Sequence, residues 1–327
     1  MDIAEKRLPQ DGRISFSYGP REIDVRVASM PARSGERVAM RLLDAGSGVL
    51  DIENLILADK LAQVVRRLVF KPSGAILVTG PTGSGKTTTL YSLLRERMRY
   101  KNDQNIVTVE DPIEYALHGI AQVEVNEAAG LDFPRVLRGF LRHDPDIILV
   151  GETRDGVTAR IAMEASITGH LVLTSMHTNS ALGSIVRLRD MGIEPYMIAT
   201  ALAGVISQRL VRRICPLCSV AERYPDSVVQ NLVRAGVLAD GEIPDMSREV
   251  GCENCEGTGF RGRVGAFEVL RMEPGIRQMV AAGAPMAEVR QEAASAGMVP
   301  MQRYAGFLLK SRLTVPSEVL RILSGDE

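Results

Sequence analysis

Tryptophan is absent from this 327-residue sequence, and aromatic residues of any kind make up only 4% of it. Few rings are on offer to stack on nucleic-acid bases. An excess of charge is lacking too: 39 basic residues meet 40 acidic ones, for a formal net charge of -1. No overall field therefore draws the chain toward nucleic acid or anionic lipid. The longest apolar runs, such as Ile147 to Val150 and Leu171 to Leu173, have the length of core strands and fall far short of the roughly 20 residues of a membrane span. Behind Met1 comes the charged stretch Asp2 to Arg7, with no apolar segment of the kind that heads a secreted protein. From these absences a cytoplasmic chain is expected, with no nucleic-acid partner and with any membrane association made through another protein.

What is present is aliphatic: 45% of the residues are hydrophobic, and nothing in the composition resembles disorder. At roughly 100–200 residues per domain, the length accommodates two domains and an inserted arm. Three alternating segments, Arg13 to Tyr18, Glu22 to Ala28 and Glu36 to Leu42, are separated by turn signals at Gly19-Pro20 and Pro31 to Gly35, and predict an antiparallel meander. This small unit occupies residues 1–45. A linker follows at residues 46–50, introduced by Ala45-Gly46-Ser47-Gly48.

Residues 51–211 then alternate between helical and short aliphatic segments. Strands are expected at Ala75 to Thr79, Ile106 to Glu110, Ile147 to Val150 and Leu171 to Ser175, with helices near Asp59 to Phe70, Lys86 to Tyr100, Phe133 to Arg142 and Asp155 to Thr168. Such alternation predicts an α/β fold with a mostly parallel sheet covered on both faces. Ligands of such sheets bind beyond the carboxyl ends of the strands. A cysteine-bearing arm at residues 212–262 and a C-terminal helical region at residues 263–327 complete the expected organisation.

Gly80-Pro81-Thr82-Gly83-Ser84-Gly85-Lys86-Thr87, followed by Thr88, matches GxxxxGK[ST] between an expected strand and an expected helix. The glycines let backbone N–H groups curl around phosphates, and the helix N-terminus adds partial positive charge. Lys86 is placed to reach the β- and γ-phosphates of ATP and Thr87 to ligate Mg²⁺. Phosphoryl transfer to water also needs an acid near the metal and a group that orients the water. Glu152 ends the strand Ile147 to Val150, where Gly151 takes the place of the usual aspartate. A second acidic group, Glu110, Asp111 and Glu114, follows another strand; on these residues alone, a solvated acidic turn and a role in the chemistry both stand. His170 and His177 flank Leu171 to Ser175. A histidine at a strand end is ordinarily structural, but His177 at the end of a third strand would be placed to sense a γ-phosphate.

The four cysteines form two CxxC pairs, Cys215 with Cys218 and Cys252 with Cys255. In a reducing compartment this grouping favours a metal over disulfides. Four thiolates suit a structural Zn²⁺ in tetrahedral geometry ahead of an iron–sulfur cluster or free buried thiols, because they leave no open coordination position. With 33 residues between Cys218 and Cys252, the insert must fold back on itself.

In this order, the motifs resemble the GspE/PilB family of type II secretion and type IV pilus assembly ATPases. The resemblance runs from Met1-Asp2-Ile3 to Gly12-Arg13, through an Asp box at Val107 to Tyr115, a Walker B segment at Leu141 to Asp155 and a His box at Thr168 to Asn179, to Gly251 through Val269. It implies a RecA-like P-loop core, preceded by part of a small α+β domain, and a ring-forming homo-oligomer of six subunits that works with an inner-membrane platform protein. It also implies residue roles: Glu152 as the Walker B acid, Glu114 as the water activator, His177 as a γ-phosphate contact, and Arg26 and Arg41 as arginines that close over the nucleotide. Arg138 and Arg142, one turn apart on an expected helix, are candidates for pairing with the acidic box or lining a subunit contact. Members of this family carry more chain before the Met1-Asp2-Ile3 motif, so the sequence begins inside the small domain. Their four-cysteine arm belongs to the assembly and secretion branch. DNA-uptake pseudopilus motors share these features, and a catalytically silent nucleotide-binding ring subunit would share the fold.

Overall fold

The computed structural model describes residues 1–19, 21–44, 50–101 and 103–324. The expected linker at residues 46–50 lies almost wholly outside them. The chain opens with a meander of β1 (Gln10–Tyr18), β2 (Arg21–Ala32) and β3 (Gly35–Asp44), paired antiparallel in the order β1-β2-β3. Its strands run several residues longer than the alternation alone indicates. In the register, Arg13 stands opposite Arg26, and Arg26 opposite Arg41, so three arginines form one row across the sheet.

The core begins with the short helix α1 (Ile52–Leu55) and with α2 (Asp59–Val69), followed by β4 (Gly74–Thr79), α3 (Lys86–Tyr100), β5 (Ile106–Glu110) and β6 (Ala121–Glu124). Next come α4 (Phe133–Phe140), β7 (Ile147–Val150), α5 (Gly156–Ile167), β8 (Leu171–Met176), α6 (Ala181–Asp190), α7 (Pro195–Ala201) and β9 (Leu202–Ile214). The arm carries β10 (Val220–Glu222), α8 (Asp226–Arg234) and β11 (Met246–Arg248). The chain returns through β12 (Phe260–Arg271) to α9 (Pro274–Ala281), α10 (Met286–Ser295), α11 (Met301–Lys310) and α12 (Pro316–Ser324).

Seven strands build the central sheet in the order β12-β9-β4-β8-β7-β5-β6. All neighbours pair parallel except β12, which runs antiparallel to β9. The four strands expected from aliphatic runs are its middle members. Every residue of β4, β7 and β8 is buried, as a parallel sheet covered on both faces requires. Along β4 the side chains alternate: Ile76 and Val78 pack with α1, α2 and α3, while Ala75 and Leu77 pack with α6 and α7 on the other face. The boundaries expected at residues 211/212 and 262/263 fall inside β9 and β12, so these two strands join the core, the arm and the C-terminal region into one sheet.

The insert between the cysteine pairs has a small core of its own. Leu232, Val237, Leu238 and Met246 pack on Ala305 and Leu309 of α11 and Val319 of α12. The helix α12 is fastened to β9 by Glu318, which is only 2% exposed. Its carboxylate accepts from the Arg212 backbone N–H at 2.8 Å, the Arg212 Nε at 3.0 Å and the Arg321 Nη2 at 3.1 Å. Burial pushes the Glu318 carboxyl up, but the donors of Arg212 and Arg321 outweigh it and hold the group below its ordinary value. A carboxyl depressed on folding stabilises the native state above its unfolded pKa, and that contribution is lost as pH falls through the folded value. Thermal unfolding followed from pH 7 into the acid range will therefore show Glu318→Gln less stable than the parent near neutrality. The gap will close below the ordinary range of a glutamate.

Candidate functional site

Four strand ends meet at the carboxyl edge of the sheet. From β4 the chain enters the loop Gly80 to Gly85, where Gly80, Gly83 and Gly85 have φ of 147°, 76° and 87°; only glycine adopts such values without strain. A Cβ at Gly80 would stand 2.3 Å from the Gln208 carbonyl oxygen. Helices α4, α5 and α6 are capped by the side chains of Asp132, Asp155 and Ser180. The helix α3 starts at Gly85 with no side-chain cap, as several other helices here do, but its N-terminus opens on the cleft, where its first N–H groups can meet a ligand. Lys86 donates to the carbonyls of Gly80 at 2.9 Å and Pro81 at 3.1 Å, folding over the loop that it serves. Burial lowers its pKa, against the pull of Glu152.

Because β8 lies between β4 and β7, His177 at the end of β8 reaches Glu152 at the end of β7, with Nε2 3.0 Å from Oε1. The other Glu152 oxygen accepts from Arg154 Nη2 at 2.8 Å. Burial raises the Glu152 carboxyl, yet Arg154, His177 and Lys86 together hold it below its ordinary value. The carboxylate thus stays charged at neutral pH beside the loop. His170, at the other end of β8, bonds through Nδ1 to the Ala165 carbonyl at 2.8 Å and has a structural place.

A cleft of about 680 Å³ collects these groups. Lys86, Thr87, Thr88, Glu114, Glu152 and His177 line it together with Arg41, as do Thr82, Gly83 and Gly85 of the loop. Arg26 points to the same place from the meander, its Nη1 3.9 Å from Glu114 Oε1. Arg13, in the same row, approaches Glu124 at 3.9 Å. Arg138 and Arg142 remain exposed and do not line the cleft. Ser84 Oγ is buried without a protein partner among the described residues. It does not line the cleft; the open N-terminus of α3 and the opposed Lys86 and Glu152 suit a phosphate chain carrying Mg²⁺ on Thr87.

Three lining residues were not singled out from the sequence. Arg154 stands two residues beyond Glu152 in an extended segment, a spacing that puts both side chains on one side. Arg263 comes from β12, where no local motif marks it. Tyr91, on α3, donates to the Glu110 carboxylate, which also accepts from Thr108 Oγ1 at 2.6 Å and Gln122 Nε2 at 3.1 Å. Glu110, 3% exposed, is thereby occupied as a brace between the loop helix and the acidic segment, while Glu114 remains open to the cleft.

The four cysteine sulfurs gather at the tip of the β9/β12 pair, all within 4.8 Å of one another. The Sγ atoms of Cys215 and Cys252 are 3.9 Å apart, those of Cys218 and Cys255 3.8 Å, and those of Cys252 and Cys255 3.7 Å. Tetrahedral coordination at about 2.3 Å per bond sets sulfurs about 3.8 Å apart, so the set fits a metal ion. Backbone N–H groups of Gly251, Cys252 and Gly259 donate to the sulfurs of Cys218 and Cys255 at 3.1–3.3 Å; against burial, those of Cys252 and Gly259 help to bring the Cys255 thiol down to about 6, whereas burial pushes the Cys218 thiol up to about 11 in the absence of an ion.

The family described as Type II/IV secretion system protein matches residues 1–321. This chain belongs to that family. It is 50% identical over 280 residues to type II secretion system protein E of Pectobacterium carotovorum subsp. carotovorum, covering 86% of this chain and 55% of that protein. To the type IV pilus assembly ATPase PilB of Thermus thermophilus it is 44% identical over 322 residues, 98% of this chain and 36% of that one. The chain thus spans about half the length, or less, of these curated relatives. The crystal structure of the pilus retraction motor PilT with bound ADP superposes with a TM-score of 0.70 at 28% identity, covering 97% of this chain and 78% of PilT.

The Tyr91 brace can be tested directly. Removing one donor from a buried carboxylate costs about 1.5–3 kcal/mol, so Tyr91→Phe will lower the urea midpoint by a corresponding amount, while the exposed substitution Tyr100→Phe will leave it unchanged.

Proposed function

We propose that this chain is the ATP-hydrolysing motor of a type II secretion or type IV pilus assembly machine, working as a homo-oligomeric ring of six subunits beside an inner-membrane platform protein. The observation that carries the reading is the meeting of Lys86, Glu152, His177 and Glu114 in one cleft beyond the glycine loop. Family membership and the PilT likeness support it. Lys86 and the loop N–H groups from Gly80 to Thr88 would hold the phosphates. Thr87, with Glu152 acting through water, would hold Mg²⁺, which neutralises phosphate charge when bound.

Glu114 would take the proton of the attacking water, and His177 would contact the γ-phosphate. The ion pair of Arg26 with Glu114 suggests how chemistry couples to movement. With ATP bound, Arg26 and Arg41 would turn to the γ-phosphate and release Glu114 to act; after hydrolysis the arginines would let go. The small sheet would swing with them, a γ-phosphate switch built on charge. Cys215, Cys218, Cys252 and Cys255 would hold Zn²⁺, which would close the tip of the β9/β12 pair without taking part in catalysis.

Phosphate release by the purified chain tests this reading. Lys86→Ala will abolish it, and turnover retained in that variant would rule the reading out. Glu114→Gln will lower kcat on the order of 10²–10⁴-fold while nucleotide still binds; wild-type protein that binds nucleotide without turnover would instead be a silent ring subunit. Elemental analysis of protein purified without chelator will find one zinc per chain. Cys252→Ser will lower that content and the thermal midpoint together, whereas unchanged metal would place it elsewhere.

A further inference from the structure

Gln208 lies on β9 just past the pairing of Ser207 with Thr79, level with the point where β4 leaves the sheet to form the glycine loop. It is 2% exposed, and an amide so buried needs partners for both its oxygen and its nitrogen. Both are found, and both belong to the loop and its helix. Thr89 Oγ1 donates to Gln208 Oε1 at 2.7 Å, and Gln208 Nε2 donates to the Ser84 carbonyl at 2.6 Å. The main chain of the same residue abuts Gly80, where a Cβ would come within 2.3 Å of its carbonyl oxygen, and a Cβ at Gly85 would approach Nε2 to 3.3 Å. One residue therefore touches the loop at its entrance and its exit.

The peptide between Ser84 and Gly85 is planar, and in a trans peptide the carbonyl and the following N–H point in opposite directions. A donor that holds the Ser84 carbonyl at the back of the loop therefore turns the Gly85 N–H to the front, where the phosphates are expected. We infer that Gln208 is a positioning residue of the nucleotide site, its side-chain amide setting the peptide plane that aims the Gly85 N–H into the phosphate cradle. The inference rests on the nucleotide reading of the same loop. Glutamine suits the task because one end accepts from Thr89 while the other donates to Ser84. An ionised glutamate has no donor for the carbonyl, and asparagine is a methylene too short to span both partners.

Titration of the purified full chain with a fluorescent N-methylanthraniloyl-ADP in Mg²⁺ tests this, at a temperature where circular dichroism shows each variant folded. Gln208→Met, which keeps the length and removes the amide, will weaken binding on the order of 10- to 100-fold, as misplacement of a binding group does. Thr89→Val, which frees the far end of the amide, will weaken it in the same direction, and Thr89→Ser, which restores a hydroxyl, will recover it. Wild-type affinity in both Gln208→Met and Thr89→Val overturns the inference. Should Gln208→Met fail to fold, the Thr89 pair decides: equal affinity of the valine and serine variants overturns it, and recovery by serine alone sustains it. If the wild-type chain ignores the nucleotide, the function proposed above fails first and the inference falls with it. Binding by wild type with no change in the variants sinks the inference alone.

Discussion

The direction of the central strands is the constraint on which the site depends. Since β4, β8, β7 and β5 run the same way side by side, their carboxyl ends open on one edge. Each loop that leaves that edge brings a different chemical group: a glycine loop from β4, a histidine from β8, a carboxylate from β7 and an acidic segment from β5. Burial of the strands on both faces fixes those ends in space. The loops themselves are polar and carry the chemistry.

Within that frame, charge balance decides the state of the site. Glu152 is half enclosed, and burial alone would favour its neutral form. Arg154, His177 and Lys86 reverse the outcome, so a carboxylate stands ready beside a lysine whose own pKa is lowered by burial. Neither group is neutralised by a long-range field, since the chain as a whole is nearly neutral. The acidic segment is arranged differently. Glu110 is occupied by Tyr91, Thr108 and Gln122, while Glu114 faces Arg26.

The arm is tied to this edge by covalent continuity. The strand that carries Gln208 against the glycine loop runs on to Cys215, and its antiparallel partner β12 starts shortly after Cys255. A closed thiolate site would thus staple the far end of the strand pair that backs the phosphate cradle. The long insert between the cysteine pairs folds back on α11 and α12 through Leu232, Val237 and Val319, and Glu318 fastens α12 to β9.

Local pattern was enough to reveal the glycine loop with Lys86 and Thr87, the middle strands, the meander and the thiol set, because each is written in contiguous residues with a fixed spacing. It was silent where partners are far apart in the chain. Nothing near Arg263 or Gln208 says that an antiparallel pair will bring one to the cleft and the other behind the loop. The row of Arg13, Arg26 and Arg41 appears only once the strand register is known, and the difference between Glu110 and Glu114 only once Tyr91 and Gln122 are in place. Strand order decided the rest: β8 comes later in the chain than β7 yet sits between it and β4, and this alone puts His177 against Glu152. The residue types were determined locally by what phosphate and thiolate chemistry require. Their meeting was decided by side-chain burial and backbone pairing across the sheet, which no short window of sequence contains.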